Sequence, residues 1–85
     1  MSLAQIETFV AVVETGNVTR AADRLRIAQP ALSRQIRGLE DELGTPLFAR
    51  TSRGMTLLPE GERFLEHARR ILDEVAAARR ITSKR

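Results

Sequence analysis

The sequence predicts a mainly α-helical domain carrying one small β-hairpin. Three observations predict it. Apolar residues recur at steps of three and four in several separate segments, which is helical periodicity. Gly16, Gly44 and Pro59 stand at the edges of those segments, where helices stop and begin. Two short apolar runs flank the polar stretch Thr51-Ser52-Arg53-Gly54, the pattern of paired strands.

The first helix is expected over Ser2 to Thr15. Leu3, Ile6, Phe9, Val10 and Val13 form its stripe, Ser2 suits its N-cap, and Gly16 and Asn17 stop it. A short second helix is expected from Thr19 to about Arg26, with Thr19 as its cap and Val18 as an anchor in front of it. Ala21, Ala22 and Leu25 join Val18 in its stripe. Ile27-Ala28-Gln29 leaves room only for a tight turn. Pro30 then opens a third helix, because its missing N–H costs nothing in a first turn. Leu32, Ile36, Leu39 and Leu43 recur at i, i+4, i+7 and i+11 and give this helix its buried stripe; Gly44 ends it. Gly38 inside it costs roughly 0.5–1 kcal/mol relative to alanine. Tolerance is the preferred reading of that glycine, and a close backbone crossing is the alternative. A short helix, a tight turn and a second helix at a steep angle make a helix-turn-helix.

After Thr45-Pro46 the pattern changes. Leu47-Phe48-Ala49-Arg50 and Met55-Thr56-Leu57-Leu58 are expected to pair. An isolated hairpin is marginal in water, so it must pack on the helices. A hairpin beside a helix-turn-helix is a wing, and the expected fold is a winged helix-turn-helix with a long C-terminal helix. That helix starts at Pro59, with Glu60 and Glu62 near the positive end of its dipole and Gly61 weakening its first turn. It is expected to run to about Ile81, roughly 30 Å, longer than the body of so small a domain. Phe64, Ala68, Ile71, Val75 and Ala78 recur along it, and Leu65 and Leu72 widen the stripe. Part of this stripe has no cover within the chain. A second copy of the same helix is the physical remedy, so a homodimer through residues 59–81 is expected, the stripe serving partly as core and partly as seam. Residues 1–58 read as the winged helix-turn-helix and 59–85 as the linker and dimerisation helix. Residues 81–85 are expected to fray.

Composition bounds the function. A chain of 85 residues is one small domain, burying about 60% of its unfolded surface and often needing a partner's help. Cysteine is absent and His67 is the single histidine, so no disulfide, metal site or cofactor is expected. The first apolar run carries Glu7, unlike a signal peptide, and no run approaches the roughly 20 apolar residues that span a bilayer. A soluble, cytoplasmic protein without a membrane partner is expected.

The net charge is +3, and every basic residue except Lys84 is an arginine. Guanidinium groups fork onto phosphate and guanine in a way lysine does not reproduce. A solvated basic surface is the bland reading of charge alone. Distribution argues for more. From Arg20 to Arg37 stand five arginines and one acid, Asp23, whereas acids gather at Glu40-Asp41-Glu42. So uneven a field suits a polyanion on one side.

On the third helix Pro30, Ser33, Arg34 and Arg37 share a face without acids. In a DNA major groove, Gln29 fits an adenine edge and Arg34 forks onto guanine O6 and N7. Ser33 bonds a base or a phosphate, and Pro30 and Ala31 meet a thymine methyl. Thr19 and the N–H groups opening the second helix suit a phosphate, and Arg20, Arg24 and Arg37 add sequence-blind attraction. Arg53 at the hairpin tip is placed to probe a groove, with Thr51 and Ser52 beside it for phosphates; a solvated turn is the alternative. RNA is disfavoured, because tyrosine and tryptophan are absent and the three phenylalanines read as buried. An enzyme lacks its constellation. His67 sits beside Glu66 on an amphipathic helix, Ser33, Ser52 and Ser83 have neither a neighbouring histidine nor an elbow motif, and the glycines are scattered singly. A protein-interaction module with merely solvating arginines is the remaining rival.

Ala21-Ala22-Asp23-Arg24-Leu25, Ala28-Gln29-Pro30-Ala31-Leu32-Ser33-Arg34-Gln35-Ile36, Leu39-Glu40-Asp41-Glu42-Leu43-Gly44 and Leu47-Phe48-Ala49-Arg50, followed by Leu57 and Gly61, closely resemble the N-terminal domain of LysR-type transcriptional regulators of bacteria. The resemblance covers essentially the whole chain without gaps. It implies sequence-specific binding of double-stranded DNA at an interrupted palindrome of the T-N11-A type, a dimerising linker helix, and control of transcription at the nucleoid. It implies major-groove contacts from Gln29, Pro30, Ser33 and Arg34 and a minor-groove reach from Arg53. It further implies tetramers and a small-molecule effector only through a C-terminal domain that this sequence lacks, so a DNA-binding part of a longer regulator is expected rather than a natural short repressor. The chain departs from the family at Ala28, usually serine or threonine, which removes a helix cap. It departs at Leu58 and Glu60, usually threonine and alanine, and at Asn17-Val18, usually a small-aromatic pair. None of these lies on the reading face.

Overall fold

The computed structural model describes residues 1–81, and the fraying expected of residues 82–85 lies outside them. In chain order the elements are α1 (Leu3–Thr15), α2 (Val18–Leu25), α3 (Gln29–Leu43), β1 (Phe48–Thr51), β2 (Gly54–Leu57) and α4 (Pro59–Arg80).

Helix α1 opens on a capping box. The Ser2 hydroxyl accepts the Gln5 N–H at 3.1 Å, and Gln5 Oε1 accepts the Ser2 N–H at 3.0 Å. Gly16 closes the helix, donating its N–H to the Val12 carbonyl at 2.7 Å. Helix α2 begins one residue earlier than its pattern suggests, and its cap is Asn17, not Thr19. Asn17 is extended, and its Oδ1 accepts the Arg20 N–H at 2.9 Å. Val18 is therefore the first helical residue, and it is buried. The helix stops at Leu25 because Arg26 turns left-handed at φ 59°. The Ile27 N–H then reaches back to the Ala22 carbonyl at 3.1 Å, closing the turn of the helix-turn-helix.

Helix α3 starts at Gln29, one residue before Pro30, and Ala28 at its N-cap supplies no side-chain bond. Leu32, Ile36 and Leu39 are buried as their spacing predicts, but Leu43 is 36% exposed. The stripe ends a turn early because the helix runs past the core. Gly38 meets no backbone; a Cβ there would lie 3.0 Å from Nε2 of Gln5, the side chain that caps α1.

The hairpin pairs Phe48 with Leu57, Ala49 with Thr56, Arg50 with Met55 and Thr51 with Gly54. Its turn is only Ser52-Arg53, tighter than the four-residue turn expected, and Leu47 and Leu58 fall outside the strands. Gly54 makes this possible. It sits at φ 114°, and a Cβ on it would lie 2.6 Å from the Gly16 carbonyl oxygen, so the wing lies directly on the α1–α2 turn.

Helix α4 starts without a side-chain cap at Leu58, with Pro59 in its first position. Phe9, fully buried, anchors the core: the Phe48 ring lies 5.3 Å from it, tilted, and the Phe64 ring 5.0 Å away, edge-on. Leu32, Leu39, Leu47 and Val12 fill the space around them, and Ala68 of α4 is 0% exposed. The first turns of α4 thus share one core with residues 1–58. A boundary at residue 58 does not separate two cores. The described chain measures 48 × 25 × 19 Å, its length set by the part of α4 that outruns this core.

Candidate nucleic-acid interface

The exposed half of α3 presents Gln29, Pro30, Arg34 and Arg37 to solvent, with Ala31 and Ser33 half-buried at its edge. Their arrangement follows from the buried stripe. Burying Leu32, Ile36 and Leu39 turns the residues between them outward. From Gln29 to Leu39 this helix carries no acid. The first turn has no side-chain cap, so no side chain at the N-cap takes the N–H groups of Gln29 and Ala31 at the positive end of the dipole.

Thr19 and Arg20 are exposed on the first turn of α2. The Thr19 hydroxyl donates to Gln29 Oε1 at 3.4 Å, a long bond that steadies the glutamine across the two helices. Asn17 takes the Arg20 N–H, which leaves those of Val18 and Thr19 for an outside acceptor. Arg24 is drawn away from this surface: its Nη1 lies 2.6 Å from Glu14 Oε1 in an exposed ion pair.

At the hairpin tip Ser52 and Arg53 are exposed. Thr51 has an internal task. Its hydroxyl donates to the Gly54 carbonyl at 3.2 Å and accepts the Arg53 N–H at 3.1 Å. A phosphate at Thr51 would compete with the turn for this hydroxyl's proton, as one at Thr19 would compete with Gln29.

Thr19, Gln29, Arg50 and Thr51 line one groove between the helix-turn-helix and the hairpin. Ser33, Arg37, Glu40 and Arg50 line a second cleft between α3 and the hairpin, of about 120 Å³. Arg50 belongs to both. No motif singles it out, although a strand period of two puts it on the same face as Phe48, toward the helices. Glu40, one of the acids gathered at the end of α3, has an internal partner: its Oε2 accepts the N–H groups of Leu47 at 2.7 Å and Phe48 at 3.2 Å. Nothing in the local pattern signals that bond, which depends on how the chain folds back.

On α4 the seven stripe residues separate. Ala68 is enclosed by this chain and offers no surface to a second copy. Phe64, Leu65, Ile71 and Leu72 pack partly against the core. Val75 and Ala78 lie beyond it, and with Arg70, Ile71 and Glu74 they line a shallow open groove of mostly apolar surface. Among the described residues no cluster of acids or histidines is placed to hold a metal ion. No helix among them is long and apolar enough to cross a membrane.

Residues 3–62 match the family profile described as bacterial regulatory helix-turn-helix protein, lysR family. The HTH-type transcriptional regulator ClcR of Pseudomonas putida is 51% identical over 72 residues, covering 85% of this chain and 24% of that protein. The HTH-type transcriptional regulator BenM of Acinetobacter baylyi is 51% identical over 75 residues, covering 88% of this chain and 25% of that protein. The chain thus spans about a quarter of the length of these relatives. Among solved structures, the BenM_DBD/benA site 1 DNA complex superposes with a TM-score of 0.90 at 48% identity, covering 96% of this chain and 95% of that one. The CbnR_DBD–DNA complex superposes with a TM-score of 0.88 at 44% identity, covering 92% and 90%. With a profile match over most of its length, and this winged architecture around an acid-free helix face, the chain belongs to the lysR family of bacterial regulatory helix-turn-helix proteins.

Proposed function

We propose that this chain binds double-stranded DNA sequence-specifically as a homodimer and thereby regulates transcription. The observation that carries the reading is the acid-free face of α3 from Gln29 to Arg37, flanked by Arg20, Arg50 and the Arg53 tip. Helix α3 enters the major groove, where Gln29, Pro30, Ala31, Ser33 and Arg34 meet base edges. Thr19, Arg20, Arg37 and Ser52 hold phosphates, and Arg53 reaches a minor groove. The similarity to BenM_DBD and CbnR_DBD, each solved as a DNA complex, supports this reading.

The distal groove of α4 at Ile71, Val75 and Ala78 pairs with its copy. Two-fold symmetry then sets two reading helices about one DNA turn apart, roughly 34 Å, and fits an interrupted palindrome of the T-N11-A type. Tetramer assembly and recognition of a small effector belong to the remainder of a full-length regulator.

A salt titration of duplex binding tests the reading. Phosphate contacts make log K fall with log salt at a slope near −0.9 for each phosphate neutralised. A chain that binds no duplex at low salt is instead a protein-interaction module with solvating arginines.

A further inference from the structure

Glu40 joins the reading helix directly to the wing. Its carbonyl oxygen accepts the N–H groups of Gly44 at 2.8 Å and Thr45 at 3.2 Å, which ends α3. Its carboxylate accepts the N–H groups of Leu47 at 2.7 Å and Phe48 at 3.2 Å, which starts β1. One residue therefore closes the helix and opens the strand, and Pro46 between them has no N–H to offer. The hairpin's other ties run to different elements. The Met55 N–H reaches the Gly16 carbonyl at 3.4 Å, and the Phe48 ring packs on Phe9 of α1.

We propose that Glu40 is a positioning residue for specificity: its carboxylate fixes the wing against α3, so that Arg34 and Arg53 address two grooves at one set spacing. The inference rests on the reading of those two arginines given above. This role asks no DNA contact of Glu40 itself. Its part is to supply a charge-assisted acceptor to two half-buried backbone donors that otherwise have none, and such donors are costly to strand.

The test is a double-mutant cycle on two duplexes that differ only in A·T against G·C at the flank under the wing. E40A is expected to lower the preference for the A·T flank, as R53A does. The double variant should be hardly worse than R53A alone, a coupling on the order of fivefold or more. E40A and R34A, in contrast, should multiply. E40Q keeps an oxygen in the accepting position and should restore most of the preference. Where E40A does not fold, E40D takes its place, keeping the charge but shortening the reach by one methylene. A merely structural Glu40 would weaken both duplexes alike and leave their ratio unchanged, which overturns the proposal. So do E40A and R53A effects that multiply. If R53A itself leaves the flank preference intact, the wing reading fails and the coupling with it; if R53A abolishes the preference and the Glu40 variants do not, only the coupling fails.

Discussion

The backbone of Gly61 lies so close to the carbonyl of Leu47 that a Cβ on Gly61 would overlap that oxygen. The same Cβ would lie 2.5 Å from Cδ1 of Leu57. The Leu47 carbonyl also accepts the Leu58 N–H at 2.9 Å, so the first turn of α4 is clamped onto the base of the hairpin.

Gly61→Ala therefore separates two readings by sign. Helix propensity alone predicts stabilisation by about 0.5–1 kcal/mol. Overpacking against a backbone carbonyl predicts a net loss of about 1–3 kcal/mol. At a fixed protein concentration the melting temperature should fall by roughly 4–8 °C for each kcal/mol lost. A rise would mean that the first turn of α4 has room to shift.

All four helices and the hairpin were legible because each rests on local information. Apolar spacing sets the helices, Gly16 and Gly44 end two of them, and a polar turn sets the hairpin. The exposure of Gln29, Pro30, Arg34 and Arg37 was legible because Leu32, Ile36 and Leu39 take the other side of the helix. What escaped depends on contacts distant in sequence. Gly61 looks like a weak helix start until Leu47 lies against it. Glu40 looks like one of three surface acids until the strand folds back onto it. Asn17 and Thr19 are both acceptable caps by residue type; the choice follows from where Val18 must sit to be buried. Leu43 continues the stripe in spacing but has no core left to enter.

The cap assignment predicts unequal effects from neighbouring substitutions. Asn17→Ala removes the acceptor of the Arg20 N–H and should cost about 1 kcal/mol in denaturant unfolding. Thr19→Ala should leave the unfolding midpoint nearly unchanged and lower DNA affinity to a similar extent on every sequence, as loss of a phosphate contact does. A larger stability loss at Thr19 than at Asn17 would return the cap to Thr19.

Arg34 and Arg37 lie three residues apart on the exposed side of α3 and are expected to do different work. Arg34→Ala should cost about 1–3 kcal/mol at the specific duplex and relax discrimination at one base position. Arg37→Ala should weaken specific and random duplexes alike and reduce the salt slope by about one phosphate. Binding isotherms on the two duplexes at several salt concentrations give both quantities. An unchanged specific-to-random ratio in Arg34→Ala would remove that residue from the base-reading set.

Val75 tests the seam, because it is a half-buried stripe residue of α4 that does not pack against the core. Ala68 is enclosed within the chain, and Phe64 and Ile71 lean on the core, so changing any of them confounds assembly with folding. Val75 lies outside that cluster and lines the open groove beside Arg70 and Glu74. Val75→Glu puts a carboxylate on the groove, and two-fold pairing brings its symmetry mate near it, so both the burial and the repulsion oppose assembly. The helical circular dichroism of the chain should persist, since a substitution outside the core usually changes stability by only about 0.5 kcal/mol. Sedimentation equilibrium should show the dimer dissociating. Affinity for a duplex with two half-sites should drop to that for one half-site, because the second reading helix is no longer tethered to the first. A Val75→Glu chain that still sediments as a dimer and still prefers two half-sites would place the seam on another face of the molecule.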